Sequence, residues 1–300
     1  MYQWNESVQK MIDWIEDNLS ENPTLLEMSK QVGYSPYYCS TQFHEIVGIT
    51  LKNYVASRRL SRAALEIRDT KERILDIAVK YGFSSQEALT RAFKEKFGYT
   101  PYWYRRNPVP IILPIRRTAL FPEHVIKSKE VIMSETCLTK ANVRIEFIPE
   151  HKYMGVWEER AANYMDFWKY HDCEEICGTI DSLSNIMHPV VTVHTAGWSC
   201  QNNHKKYFYG LGVADNYNGP VPKGFEVKKV PGNYYLVFFH PPFDYLSDCS
   251  EVMERVETLA WNYDPALKGY AWNEKDCPVY QRHYPEVIGY EVLRPVTKIQ

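Results

Sequence analysis

Two sets of polar side chains stand at spacings suited to reading a nucleic acid. Gln86, Glu87, Thr90, Arg91 and Lys94 follow one another at one, three, one and three residues, so a helix carries them on one face near its start. Tyr37, Ser40, Thr41 and His44 repeat the arrangement about fifty residues earlier. Such hydrogen-bonding groups on a solvent face can meet base edges in a major groove. A third set is aromatic. Tyr153, Trp157, Tyr164, Trp168, Trp198, Tyr209, Tyr235, Trp272 and Tyr280 all lie in the second half, as does Glu291. Aromatic faces attract cations by about 0.5–2 kcal/mol per contact, and a partly desolvated carboxylate would favour a cation further. Each single ring is read more readily as core than as ligand contact, and Glu291 equally well as a solvent-facing or ion-paired residue. Cys173 and Cys177 sit one helical turn apart beside His171. With no second ligand pair in view, no metal site is expected.

The elements that must hold the first two sets are legible as a repeat. Shifting the chain by about fifty residues brings Gly33-Tyr34-Ser35 near Gly82-Phe83-Ser84 and Gly48-Ile49-Thr50 onto Gly98-Tyr99-Thr100. Cys39, Phe43 and Val47 fall on Leu89, Phe93 and Phe97, apolar at i, i+4, i+8, which predicts one buried helical face per unit. Thr24-Leu25-Leu26-Glu27 is a capping-box pattern, Gly33 a stop, Ser35 a cap with Pro36 behind it. In the second unit Ser84 or Ser85 caps. Between the units, "LKNYVASRRLSRAALEIRD" predicts one long helix with Val55, Leu60, Ala64 and Ile67 inward, a rigid spacer for two reading heads. Adjacent major-groove faces on one side of DNA are about 34 Å apart.

The motif "ILDIAVKYGFSSQEALTRAFKEKFGYTPYWYR", supported by "GYSPYYCSTQFHEIVGITLKNYVASRRLSRA", resembles the DNA-binding domain of the AraC/XylS family of transcription regulators. The resemblance implies an all-α domain of seven helices over residues 1–107, one recognition helix per half, and double-stranded promoter DNA as partner, with RNA polymerase as a candidate second one. By that resemblance Gln86, Glu87, Thr90 and Arg91 belong to the second recognition helix and Tyr37, Ser40 and Thr41 to the first. Thr41 stands where many relatives carry arginine, so the bidentate guanine contact expected there is missing.

Residues 108–140, with Pro108, Pro110, Pro114 and Pro122, read as a linker with at most short strands. Beyond them, "VRIEFIPEHKYMGVWEER" and "FEVKKVPGNYYLVFFHPP" match at an offset of 82. Each predicts strand, tight turn, strand, then a helix near 161–177 or 247–263, then a glycine-bearing strand, "YFYGLGV" or "VIGYEVLRPV". Residues 141–300 are thus expected to be an α+β domain made by duplication, two hairpin-plus-helix units in one antiparallel sheet, helices on one face and a concave aromatic cleft on the other. The pattern resembles the GyrI-like, bacterial-effector-binding domain. That implies a bulky hydrophobic, often cationic, small-molecule effector. Glu291 matches the acidic position of the last strand, and Gln281 stands where relatives often have glutamate. Some domains of this kind resemble hydrolases using a tyrosine and a glutamate. An exposed flat face would instead suit a protein-binding module. No Ser-His-Asp set, zinc motif or phosphate loop is visible, so neither catalysis nor a cofactor is expected.

Composition agrees with a core-forming chain of 300 residues, 45% hydrophobic and 24% charged. The net charge of −2 hides a split: residues 1–107 hold 15 Lys and Arg against 13 Asp and Glu, the remainder 20 against 24. The positive charges of the first part cluster at Lys52, Arg58, Arg59, Arg62 and Arg68, and at Arg91, Lys94, Lys96, Arg105 and Arg106, as a phosphate backbone requires. Seven cysteines without CxxC spacing, a polar opening "MYQWNESVQK" and apolar runs no longer than "YYLVFF" point to a reducing cytoplasm and no membrane span.

Overall fold

The computed structural model describes residues 2–21, 23–122, 142–201 and 204–299. The chain divides into two compact units, Met1–Glu130 and Val131–Gln300. The first is helical: α1 (Tyr2–Asp17), α2 (Leu25–Val32), α3 (Pro36–Val47), α4 (Leu51–Asp69), α5 (Ile74–Lys80), α6 (Gln86–Phe97) and α7 (Pro101–Arg106). Its boundaries are local chemistry. Thr24 and Glu27 complete a reciprocal capping box, the Glu27 amide donating to the Thr24 hydroxyl at 3.2 Å and the Thr24 amide to Oε2 of Glu27 at 3.1 Å. Gly33 ends α2 at φ 75°, a conformation that side-chain-bearing residues rarely adopt. At α6 the cap is Ser85 rather than Ser84, its hydroxyl accepting from the Ala88 amide at 3.2 Å. Ser85→Ala is expected to cost about 1 kcal/mol; a denaturation midpoint equal to wild type would show that the hydroxyl contributes nothing.

Two apolar clusters fill this unit. One gathers Val8, Met11, Ile12, Ile15, Cys39, Phe43 and Tyr54 around α1 and α3. The other gathers Leu60, Ala63, Ala64, Ile67, Leu89, Phe93 and Phe97 around α5 and α6. Helix α4 contributes Tyr54 to the first and Leu60 through Ile67 to the second, so one rigid element serves both helix pairs.

The stretch after α7 differs from the expected linker as far as residue 121. Ile111 and Leu113 are buried in the second cluster and Ala119 in the first. Arg58 and Ser61 both donate to the Pro114 carbonyl, Ser61 at 2.7 Å, and Asn5 donates to the Ala119 carbonyl at 2.6 Å. The prolines remove N–H groups and so forbid a regular ladder, but their carbonyls still accept. Residues 123–141 lie outside the described residues.

The second unit is one antiparallel sheet with helices. Its strands are β1 (Asn142–Ile148), β2 (His151–Glu158), β3 (Thr195–Gln201), β4 (His204–Ala214), β5 (Glu226–Val230), β6 (Asn233–His240), β7 (Tyr270–Trp272), β8 (Val279–Tyr284) and β9 (Gly289–Lys298). Its helices are α8 (Tyr164–Phe167), α9 (Cys173–Ser182) and α10 (Tyr245–Asn262). The order is β1-β6-β9-β8-β3-β4-β2-β5, with β7 also on β9. This corrects the two expected hairpins. β1 pairs with β6 and β2 with β5, so each copy's first strand is partnered by the other copy's second.

That order forces curvature. β1 and β2 are six strand positions apart, about 29 Å in a flat sheet. Only Pro149 and Glu150 join them, a reach of at most about 11 Å. Pro231 and Gly232 impose the same limit on β5 and β6. The sheet must curl until its edges approach, and one face becomes concave. Strands β3, β7 and β8 were not foreseen, and the first helical stretch is split into α8 and α9. Among the described residues no helix is long and apolar enough to cross a membrane.

Candidate functional site

In α6, Leu89, Phe93 and Phe97 are buried, which turns Gln86, Glu87, Arg91 and Lys94 to solvent, with Thr90 half-buried. In α3, Cys39 and Phe43 are buried; Tyr37 is 78% exposed and Ser40 and Thr41 half-buried. The helices thus display both foreseen sets. The Thr41 hydroxyl donates to the Tyr37 carbonyl at 3.1 Å within its own helix. Ser85, hydrogen-bonding to the Glu87 carboxyl, leads the effects that hold it below its ordinary range. Among the described residues neither Arg91 nor Lys94 joins an ion pair.

The basic clusters are another matter. Arg58 is buried, gripping Glu16 at 2.6 Å through Nε and 2.9 Å through Nη2. Arg59 donates to the Leu19 carbonyl, and Arg105 to those of Ile67 and Glu72. Arg68 is bound to Asp69, with its side chain 2% exposed. Arg58, Arg59 and Arg105 tie helices to one another and to their connections, and Arg68 is spent within α4. Lys52, Arg62, Arg91, Lys94, Lys96 and Arg106 remain on the surface.

In the second unit the strand registers sort the aromatic residues. Tyr235 lies opposite Glu146, Tyr280 opposite Leu293 and Gly197, and Trp157 opposite Phe208, while Tyr153 shares their face two pairs along β2. Ring contacts join them: Tyr153 to Phe208 at 4.7 Å, Trp157 to Phe208 at 5.8 Å, and Tyr280 to Tyr153 and to Tyr235, each at 5.9 Å. This is the concave face. Space for the rings comes from glycine. A Cβ on Gly197 would lie 2.7 Å from the Phe208 ring. Beside Trp157 a hollow of about 70 Å³ opens, bordered by Lys228, Lys229 and the 274–278 loop. The Lys228 ammonium stands 4.0 Å over the Trp157 ring.

The other expected wall residues lie elsewhere. Trp198, Tyr209 and Trp272 belong to the opposite face. Tyr209 packs with Tyr164 and Trp168, at 6.0 and 4.9 Å. Trp272 packs on Arg294, whose guanidinium is 3.6 Å from the ring centroid. Side chains alternate along a strand, so of "YFY" in β4 only the middle residue, Phe208, faces the cleft. Gln281 also points away from it. It accepts from the Tyr207 hydroxyl at 2.6 Å and reaches Tyr290 at 2.5 Å and Glu257 at 3.2 Å. Burial leads the effects that raise the Glu257 carboxyl above its ordinary range.

Glu291 does lie on the concave face, and it is 1% exposed. Arg144 donates to its Oε1 at 2.6 Å and Nε of Arg282 lies 2.7 Å from its Oε2. Arg282 also reaches Oε2 of Glu146 at 3.0 Å, and Arg144 stacks 4.6 Å from the Phe239 centroid. Two carboxylates and two guanidiniums form one quartet. For Glu146, burial raises the carboxyl, but hydrogen bonds and charge from Arg282 and Arg144 outweigh it and hold the group below its ordinary range. Arg144, Glu146, Arg282, Phe208 and Phe239 were all missed. The alternation of "VRIEF" and the position of Arg282, two residues after Tyr280, were the available signals.

A helix-turn-helix domain model matches residues 28–107. The TetD protein of transposon Tn10 from Escherichia coli is 43% identical over 100 residues, 33% of this chain and 72% of that protein. The transcriptional regulator Rob of Salmonella typhimurium is 37% identical over 100 residues, 33% of this chain and 35% of Rob. The right origin-binding protein of Escherichia coli K12 is 38% identical over 295 residues, 96% of this chain and 94% of that protein. With tandem helix-turn-helix pairs in the first unit and a full-length relative covering both units, the chain belongs to the AraC-type family of helix-turn-helix DNA-binding transcription regulators.

Proposed function

We propose that this regulator binds its promoter through α3 and α6, and that its second unit takes up a hydrophobic small molecule on the concave face as effector. The observation that carries the second part is the half-buried Trp157 beside a hollow on the inward-curled face, backed by the buried rings of Tyr153, Phe208, Tyr235 and Tyr280. A flat face would have suited a protein-binding module; this one is curled. The resemblance of the sheet sequence to GyrI-like domains supports the same reading. A cationic effector has less support than the sequence suggested, because Glu291 already has two arginine partners.

Regulation requires that the effector bind two states of the protein with different free energies. The test is a thermal-shift screen of the full chain with apolar cations, neutral molecules and anions. Hits are then added to a fluorescence-anisotropy titration with promoter DNA. A true effector should raise the melting temperature, change the DNA affinity, and lose at least half of its thermal shift in Trp157→Ala, each shift being taken from the variant's own ligand-free melting temperature. Hits that survive Trp157→Ala unchanged would place the ligand somewhere else.

A further inference from the structure

On the opposite, helix-covered side of the sheet a second chemical cluster stands apart from the cleft. The Sγ atoms of Cys173 and Cys177 are 3.4 Å apart on the first turns of α9. Cys173 is exposed and Cys177 is buried. His171, their neighbour in sequence, does not join them; its ring stacks on Phe167 at 4.4 Å and its Nε2 lies 3.2 Å from Glu158. Cys177 instead lies against the Tyr209 hydroxyl. That hydroxyl is 3.1 Å from Nδ1 of His194, whose Nε2 is 2.8 Å from Asp181. A carboxylate only accepts, so Nε2 carries the proton and Nδ1 accepts from Tyr209. From Tyr209 the donors run one way, to histidine and on to carboxylate, while the Cys177 proton is turned toward Cys173. His194 is held in this line at φ 58°, in the left-handed region that non-glycine residues avoid.

We propose that Cys173 and Cys177 form a dithiol site for trivalent arsenicals that carry one organic substituent. The sulfur separation suits a pyramidal centre. With element–sulfur bonds of about 2.3 Å, 3.4 Å between sulfurs sets an angle of about 95° at the bound atom. Three-coordinate arsenic with its lone pair takes such a pyramidal angle. A linear two-coordinate ion would need sulfurs about 4.6 Å apart, and a tetrahedral one about 3.8 Å. The organic substituent occupies the third position, and the aromatic rings of Tyr164 and Trp168, packed on Tyr209, stand beside the thiols to receive it. In the reaction with an arsine oxide, two As–S bonds replace two S–H bonds. The arsenic–oxygen double bond breaks, and the two thiol protons leave with that oxygen as water. No oxidant or reductant takes part. The Cys177 proton is held by the hydrogen bond with Cys173 and by burial; on turning to the Tyr209 oxygen it leaves as the Tyr209 proton passes to Nδ1 of His194.

The probe is phenylarsine oxide added to the full-length reduced protein, read by intact-mass spectrometry. One equivalent should be retained against excess monothiol and released by 2,3-dimercaptopropanol. Peptide mapping after alkylation should find Cys173 and Cys177 both protected. Cys173→Ser, a near-isosteric change at an exposed position, should lower retention at least ten-fold. Tyr209→Phe should keep the stoichiometry and slow capture several-fold. Full retention in Cys173→Ser, or an adduct mapped to other cysteines, would overturn the site. An unchanged capture rate in Tyr209→Phe would overturn the role given to the relay.

Discussion

Glu291→Gln is expected to destabilise the second unit by about 3 kcal/mol, at the low end for a broken buried pair because Arg282 keeps Glu146. The substitution leaves two guanidiniums with one carboxylate, and the Arg282 side chain is only 10% exposed. For a unit of this size the midpoint should fall by roughly 6–12 °C. The quartet also fixes a direction in pH. The Glu146 carboxyl titrates below its unfolded value near 4.5, so its contribution is complete above that pH and disappears as pH falls through the folded value. Differential scanning calorimetry of wild type and variant between pH 3 and 7, as rough limits, would show both effects. If Glu291→Gln melts like wild type yet binds a cationic ligand less well than a neutral one of the same shape, the carboxylate belongs to the ligand after all.

Arg91→Ala should weaken binding to the specific promoter by about 1–3 kcal/mol, roughly 5- to 150-fold, and binding to random DNA far less. Arg91 is exposed on the face of α6 that carries Gln86, Glu87 and Thr90, and among the described residues it joins no ion pair. The Thr41 hydroxyl spends its hydrogen on its own helix. Base substitutions under α6 should therefore be penalised more sharply than those under α3. Equal losses on specific and random DNA would reduce Arg91 to a phosphate contact, and equal penalties in both half-sites would remove the asymmetry.

The helical unit was legible because its signals are local. Thr24, Ser35 and Ser85 each cap the helix that follows within three residues, and Gly33, Gly48 and Gly98 each end one at positive φ. A buried repeat at i, i+4, i+8 then leaves the opposite face to solvent. The basic clusters misled because charge in a sequence carries no depth. Arg58 and Arg62 both reach Glu16, but only Arg58 does so from inside the unit, where it also meets the Pro114 carbonyl. In the sheet, the duplication and the strands were visible, but the pairing was not. A turn of Pro149 and Glu150 looks like a hairpin from within; only the distant β6 reveals that β1 belongs elsewhere. The quartet suffers the same distance, since Arg144 and Glu291 are 147 residues apart. The alternation that sorts Phe208 from Tyr207 and Tyr209 was readable, but which parity faced inward was not.

The exchanged strand partners also set an order of events during synthesis. Ile145 of β1 pairs with Leu236 of β6, so β1 has no ladder partner until about ninety more residues have been made. At roughly 5–20 residues per second that is a wait on the order of 5–20 s. The helix pairs of the first unit close over a few dozen residues and need no such delay. On the nascent chain the DNA-reading unit is therefore complete while the unit proposed to govern it is still an unpaired strand, and an exposed β1 with Ile145 and Phe147 is the segment most open to wrong partners in that interval.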